Sequence, residues 1–282
     1  MRYDAPHHNA FTLIELLVVL AVVALLVGLL LPALGSARRV AKTVQCLSNI
    51  RSLELAHALY MGDHDEWFID AGLGHGGVSI LGRAWPVTLA EYNGGPLILH
   101  SPVDTSPFWP PREGGVSSGV GLAEILSTAE ANGGVVPEGV TVARWTSYGL
   151  NNFTTRFARP SVRDPATNRR MGPWERLSKI PRPDATVHFL MMTQGKLPGS
   201  EAFAVADHVH ASDWADAGDD LSSWAGAASG QMDIAAHDAP AERVGGSSRA
   251  NYGFLDGHAA TLPFSRVYRG RHDNSFWPEF AR

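Results

Sequence analysis

The chain has 282 residues and a formal charge of −5, with 23 Lys and Arg against 28 Asp and Glu, so no global basic field exists to hold a nucleic-acid backbone. One cysteine, Cys46, excludes an intrachain disulfide and every multi-cysteine zinc, iron–sulfur or redox-pair pattern. Only 18% of residues are charged, against roughly a quarter in an ordinary soluble domain, and that deficit needs a local cause.

The cause lies near the start. Residues 1–10 are short and polar with Arg2, and residues 16–31 are then sixteen consecutive apolar or small residues with Gly28 among them. Together with residues 11–15 and 32–34 the stretch covers 24 residues, where about 20 suffice to cross a bilayer as a helix. A helix apolar on every side is not an amphipathic surface helix. A cleaved secretory signal with an exit at Leu34-Gly35-Ser36-Ala37 is one reading, although the run is slightly too long for it. A plain anchor is the second, but it leaves Glu15 unexplained, because an acid in hydrocarbon costs a few kcal/mol.

Beyond the apolar run, residues 36–60 hold no Gly or Pro and are rich in Ala, Leu, Arg and Glu, which predicts that the helix continues. Val40, Val44, Leu47, Leu55 and Leu59 fall on one broad face, interrupted by Arg51, and a small β-sheet is the natural element to cover it. Gly28 and Pro32 are the expected points of bending or local unwinding. From about Asp63 the texture changes to short apolar runs broken by Gly and Pro clusters, the pattern of short strands and long loops. Strands are predicted over 140–145, 186–192, 252–255 and 259–262, the last pair flanking Asp256-Gly257, a two-residue hairpin signal. A helix is expected over 121–132, ending at Gly133-Gly134. The fold class is therefore α+β: a long N-terminal helix packed on a small antiparallel sheet with long loops.

The stretch 207–220 is the best metal candidate in the head. Its ligands would be Asp207, His208, His210, Asp213, Asp216 and Asp219. His-x-His with nearby carboxylates suits a transition metal, clustered Asp oxygens with a Gly suit Ca²⁺, and a solvated polar loop is the bland alternative. No resident cofactor is expected otherwise. Cys46 in a helical stripe reads as a small buried hydrophobe rather than a catalytic thiol. Trp109, Trp214 and Trp224 sit among prolines or polar residues, where they could form exposed platforms for a sugar or other ligand, although most tryptophans are packing anchors. No nucleophile elbow, phosphate-cradling loop or nucleotide fingerprint appears, so nothing positive supports an enzyme.

The string Ala10-Phe11-Thr12-Leu13-Ile14-Glu15-Leu16-Leu17-Val18-Val19 resembles the cleavage and methylation site of type IV prepilins and type II secretion pseudopilins. The resemblance implies a leader at 1–10, cleavage between Ala10 and Phe11, N-methylation of Phe11, and a fifth mature residue, Glu15, that docks subunits. The family usually has Gly where this chain has Ala10. It implies a polymerisation and transmembrane helix over 11–34, an exposed continuation over 35–61 and a β-rich head over 62–282. Its partners would be a prepilin peptidase/methyltransferase, other pilin or pseudopilin subunits and the bacterial inner membrane. The head would lie in the periplasm or on an extracellular filament, although Arg38, Arg39 and Lys42 after the span would alone suggest the opposite orientation.

Cys46-Leu47-Ser48-Asn49-Ile50-Arg51, Ser147-Tyr148-Gly149-Leu150-Asn151 and Asn251-Tyr252-Gly253-Phe254-Leu255-Asp256-Gly257-His258 resemble motifs of a pseudopilin-like subfamily of Planctomycetes and Verrucomicrobia. That subfamily usually has a His ten residues before the Asp of its Asp-Gly-His hairpin, where this chain has Gly246. Calcium stabilises some major pseudopilins, which favours Ca²⁺ for the acidic stretch. The competing class is a membrane-anchored periplasmic or extracellular domain that binds a ligand or hydrolyses with a metal.

Overall fold

The computed structural model describes residues 13–74, 77–78, 84–93, 98–131, 141–156, 162–164, 167–238 and 244–282. Among these the helices are α1 Leu13–Asp63, α2 Trp85–Thr88, α3 Leu122–Ala131, α4 Glu201–Ala204, α5 Ala211–Trp214, α6 Leu221–Ser229 and α7 Phe264–Val267. The strands are β1 Leu73–Gly74, β2 Gly77–Val78, β3 Tyr148–Asn151, β4 Val162–Arg163, β5 Arg170–Met171, β6 Val187–Met191, β7 His208–Val209, β8 Arg249–Phe254 and β9 Ala259–Pro263. The chain forms two compact units, Met1–Lys42 and Thr43–Arg282, with the boundary inside α1.

In the first unit α1 carries Leu, Val and Ala around its whole circumference, and these side chains are exposed. By length and composition it is apolar enough to cross a membrane, with an 18-residue window of mean hydropathy 3.1. The helix runs without interruption through Gly28 and Pro32, so of the bending or local unwinding expected there the unwinding does not occur. A proline inside a long helix removes one backbone hydrogen bond without ending it.

The second unit is built on a five-stranded sheet of order β7-β3-β6-β8-β9. All pairs are antiparallel except β3 with β7, which are parallel. Both faces are covered, so β3 and β6 are buried at every residue and their sequences read as nearly continuous apolar runs. On one face Cys46, Ile50, Leu53 and Tyr60 of α1 pack with Tyr148, Leu150, Phe189 and Met191. On the other, Val187, Leu190, Tyr252 and Phe254 pack with Trp214, Phe264, Phe276 and Trp277.

The face of α1 that enters this core is not the one its apolar pattern predicts. Val40, Val44, Leu55 and Leu59 are exposed and Leu47 is half-buried. The buried face instead carries Cys46, Asn49, Ile50, Leu53, Glu54, Ala56, His57, Tyr60 and Met61. The sheet reverses the pattern by supplying partners for those polar groups: Asn49 Nδ2 donates to Tyr148 Oη at 2.9 Å, and Glu54 Oε1 accepts the Phe189 N–H at 3.1 Å.

A bulge in β6 shapes the contact. Val187 pairs with Phe254 and Leu190 with Tyr252, so three residue steps on β6 oppose two on β8. One extra residue turns two successive side chains to one side, and His188 and Phe189 both face α1. Gly253 of β8 lies opposite. A Cβ there would overlap Glu54 Oε1 and lie 2.7 Å from Ile50 Cγ2, so only glycine lets the helix approach this closely.

Other expectations are met or corrected at particular residues. The strand predicted over 186–192 is β6, and the helix predicted over 121–132 is α3, with residues 132–134 outside the described ones. Over 140–145, Val140 lies outside the described residues and the remainder forms only a bridge from Val142 to Val120. Its amides go to loops instead: Ala143 N–H to the Val120 carbonyl at 3.0 Å and Arg144 N–H to that of Phe108 at 2.8 Å. Arg144 itself is wholly buried and binds Asp104 at 2.8 Å, which ties this segment to loops rather than to a neighbouring strand. The β8–β9 hairpin turns through three residues rather than two, because Phe254 N–H donates to the His258 carbonyl at 2.9 Å. Gly257 takes φ +91°, the left-handed position of a three-residue loop. Trp109 and Trp214 are buried, not exposed platforms, and Trp224 is half-buried with its Nε1 donating to the Gly218 carbonyl at 2.7 Å.

Gly253→Ala is expected to lower the stability of the folded chain by about 1–3 kcal/mol, the usual range for overpacking a filled core. Chemical denaturation against the wild-type protein measures it.

Candidate functional site

Three constellations carry chemistry, and each is built by a different part of the fold. The first is the N-terminal end of α1. Ala10 and Phe11 lie outside the described residues. Glu15 is the one acid between residues 11 and 34. It lies in the first turn of α1 and is exposed amid apolar side chains.

The second is a buried polar cluster on the sheet face that meets α1. Glu54 and His57 stand one helical turn apart, which puts both on one face, and the bulge presents His188 to them. Glu54 Oε2 is 3.0 Å from His188 Nδ1, and Glu54 Oε1 accepts the Phe189 N–H at 3.1 Å. That amide belongs to the bulge, where the ladder is interrupted. The His57 and His188 rings stack with centroids 4.2 Å apart, and His57 Nε2 accepts the Ile69 N–H at 3.4 Å.

Burial sets the protonation of this cluster. It raises the Glu54 carboxyl well above the ordinary carboxylate range, against the pull of the Phe189 amide. It lowers His57 far below the usual imidazole value, with His188 adding to the effect, and brings His188 down to about 3. The cluster is therefore neutral, with one proton shared between Glu54 and His188. His57 Nδ1 and His188 Nε2 are buried without a hydrogen-bond partner. One ligand atom from each of the three residues can be chosen so that all lie within 4.8 Å of one another, a spacing that suits a metal. The carboxylate oxygens are nonetheless already engaged by Phe189 and His188, and the cluster is closed to solvent.

The third constellation contains the six predicted ligands, and the structure brings four of them into one chain. Asp207 is buried, with Oδ2 accepting the Gly72 N–H at 2.9 Å and Oδ1 lying 3.0 Å from His208 Nδ1. His208 Nε2 faces His210 Nε2 at 3.1 Å, and His210 Nδ1 is 3.5 Å from Asp213 Oδ2. Asp216 turns to Arg271, and Asp219 is exposed ahead of α6. The carboxylates do not converge on one point.

Cys46 is buried, and burial raises its thiol above the ordinary value. Its Sγ lies 3.4 Å from Met191 Sδ, so it packs as a hydrophobe. The Glu54, His57 and His188 cluster was not singled out from sequence. Its available signal was a Glu-x-x-His pair within an apolar helix, together with a lone His in the run 187–192.

Residues 6–31 match the family model of the prokaryotic N-terminal methylation motif. No curated protein and no solved structure gives a significant match to the chain. The motif supports a prepilin-type protein with a pilin- or pseudopilin-like role, and it fits anchoring in a membrane through α1.

The buried histidines make stability depend on pH. Unfolded imidazoles titrate near 6.5, whereas His188 in the folded chain does so at about 3, so the unfolded state binds more protons as pH falls below 6.5. Stability from His57 and His188 is complete above 6.5 and is lost on acidification. Glu54 acts in the opposite sense, its contribution present at low pH and lost as pH rises through its elevated folded value. Within this cluster two histidines act against one carboxyl, so its net contribution to stability falls as pH is lowered from 6.5. His188→Asn should flatten that acid limb by up to about one proton's worth of slope, read from denaturation midpoints across pH.

Proposed function

We propose that this protein is a prepilin-like subunit, cleaved between Ala10 and Phe11 and N-methylated, that assembles into a type IV pilus or a type II secretion pseudopilus. The observation that carries the reading is a coincidence at one place. The methylation motif covers residues 6–31, and its described part, residues 13–31, opens α1 with exposed apolar side chains among which Glu15 is the one acid.

Cleavage before Phe11 creates a new ammonium group at the membrane. A carboxylate from the span of a neighbouring subunit neutralises it, and the pair is far less costly in lipid than either charge alone. Glu15 thereby sets subunit docking and register. The span stores the subunit in the inner membrane, with the Thr43–Arg282 unit on the periplasmic side. Arg38, Arg39 and Lys42 do not prevent this orientation, since long domains translocate largely regardless of nearby charge. Val44, Leu55 and Leu59 leave an apolar strip on the outer face of α1, which supports side-by-side packing of such helices. The processing partner is a prepilin peptidase/methyltransferase, and the assembly partners are other pilins or pseudopilins.

Intact-mass analysis of protein from the membrane fraction of its native cell should give a methylated chain beginning at Phe11. A chain retaining Met1, or one cut near Ala37, would overturn the reading. Glu15→Ala should leave processing intact and abolish incorporation into the filament, scored by the filament-associated fraction of processed subunit.

A further inference from the structure

We propose that His208 and His210 bind a divalent transition metal of the zinc or copper class between their Nε2 atoms, at the edge of the sheet. Strand alternation puts the two side chains on one face, while Val209 between them enters the core. The strand itself is fixed by its parallel pairing with β3, Leu150 opposite His208 and Asn151 opposite Val209. Both rings are partly open to solvent, with side-chain exposures of 15% and 25%, so an ion can reach them.

The distances favour a metal. With metal–nitrogen bonds of roughly 2.0–2.1 Å, two cis imidazoles place their nitrogens about 2.9–3.4 Å apart between right-angled and tetrahedral geometry. The Nε2 atoms here are 3.1 Å apart. Each ring is also backed by a carboxylate at Nδ1: Asp207, buried and held by the Gly72 amide, and Asp213 on α5. Carboxylates behind the far nitrogen orient ligating histidines and raise their basicity.

Proton placement points the same way. If both Nδ1 atoms carry hydrogen toward their carboxylates, two lone pairs face each other at 3.1 Å. If His210 instead donates from Nε2, its bare Nδ1 faces the Asp213 carboxylate. A cation between the Nε2 atoms, a metal ion or one added proton, relieves both conflicts, and zinc titration separates the two. Imidazole donors suit zinc and copper, whereas Ca²⁺ requires a cage of oxygens. Asp216, held by Arg271, and Asp207, held by Gly72 and His208, do not form one. The two histidines supply two ligands, and water completes the coordination.

The test is calorimetric titration of ZnCl₂ into the full-length chain in detergent, after chelator treatment. One equivalent should bind to the wild type, binding should vanish in His208→Ala and in His210→Ala, and Asp207→Asn should weaken it by about 10–100-fold. Circular dichroism of the metal-free variants checks that they remain folded. Independently of any variant, Cu²⁺ bound to the wild-type chain should show nitrogen coupling from two imidazoles in its electron paramagnetic resonance spectrum. No stoichiometric zinc binding would mean that a proton alone holds the pair, and the proposal fails. It fails equally if the His208→Ala/His210→Ala double variant binds as the wild type does, or if Glu54→Gln is the change that removes binding.

Discussion

The contact on which the Thr43–Arg282 unit depends is a carboxyl group reaching from a helix into a break in a sheet. The bulge in β6 leaves the Phe189 amide outside the regular ladder, and Glu54 Oε1 accepts it at 3.1 Å. A buried amide without a partner costs roughly 1–3 kcal/mol, so the bulge and the helix acid stabilise each other. Everything around them follows from keeping that carboxyl dry. Gly253 gives it room, His188 shares its proton, and His57 stacks against His188. The result is a neutral polar cluster inside an otherwise apolar interface.

This arrangement explains the placement of the three motif strings. Cys46 and Asn49 from the first, Tyr148 from the second, and Asn251 and Gly253 from the third all lie at the interface between α1 and the sheet. Tyr148 and Leu150 point toward the helix. The alternate positions Gly149 and Asn151 face away, Asn151 Nδ2 donating to the carbonyls of Val187 at 2.9 Å and Phe276 at 2.6 Å. Short strings far apart in sequence are thus one docking surface, with alternate residues serving opposite faces of the sheet. Gly246 has no space for a side chain: a Cβ there would overlap Leu221.

Much of the architecture was legible because it rests on long-range patterning of a simple kind. The apolar run and the Gly-free segment after it specify α1, and the apolar stretch 187–191 and the Asp-Gly turn locate β6 and the final hairpin. The inward face of α1 was not legible, since helical periodicity counts Val and Leu as inward and Asn, Glu and His as outward. That rule fails where the partner surface supplies hydrogen bonds, and a bulge in a strand some 130 residues away has no signature in the helix. The third constellation was half legible. His-x-His on a strand foretold two rings on one face, but which carboxylates stand behind them depended on Gly72 and Arg271, which sequence does not connect to it.

The bulge also counts residues. Because His188 and Phe189 share a face, Leu190 and Met191 stand one step out of phase with the start of the same strand. Deleting either bulge residue would restore strict alternation and keep Leu190 and Met191 on their present faces at the cost of one helix-facing side chain, whereas deleting a residue from the regular part of the strand would exchange the side chains beyond it between the two cores of the domain. Length variation in relatives of this chain should therefore concentrate in its Gly- and Pro-rich loops. The middle of β6 is a place where insertion or deletion is as disruptive as the loss of a buried side chain.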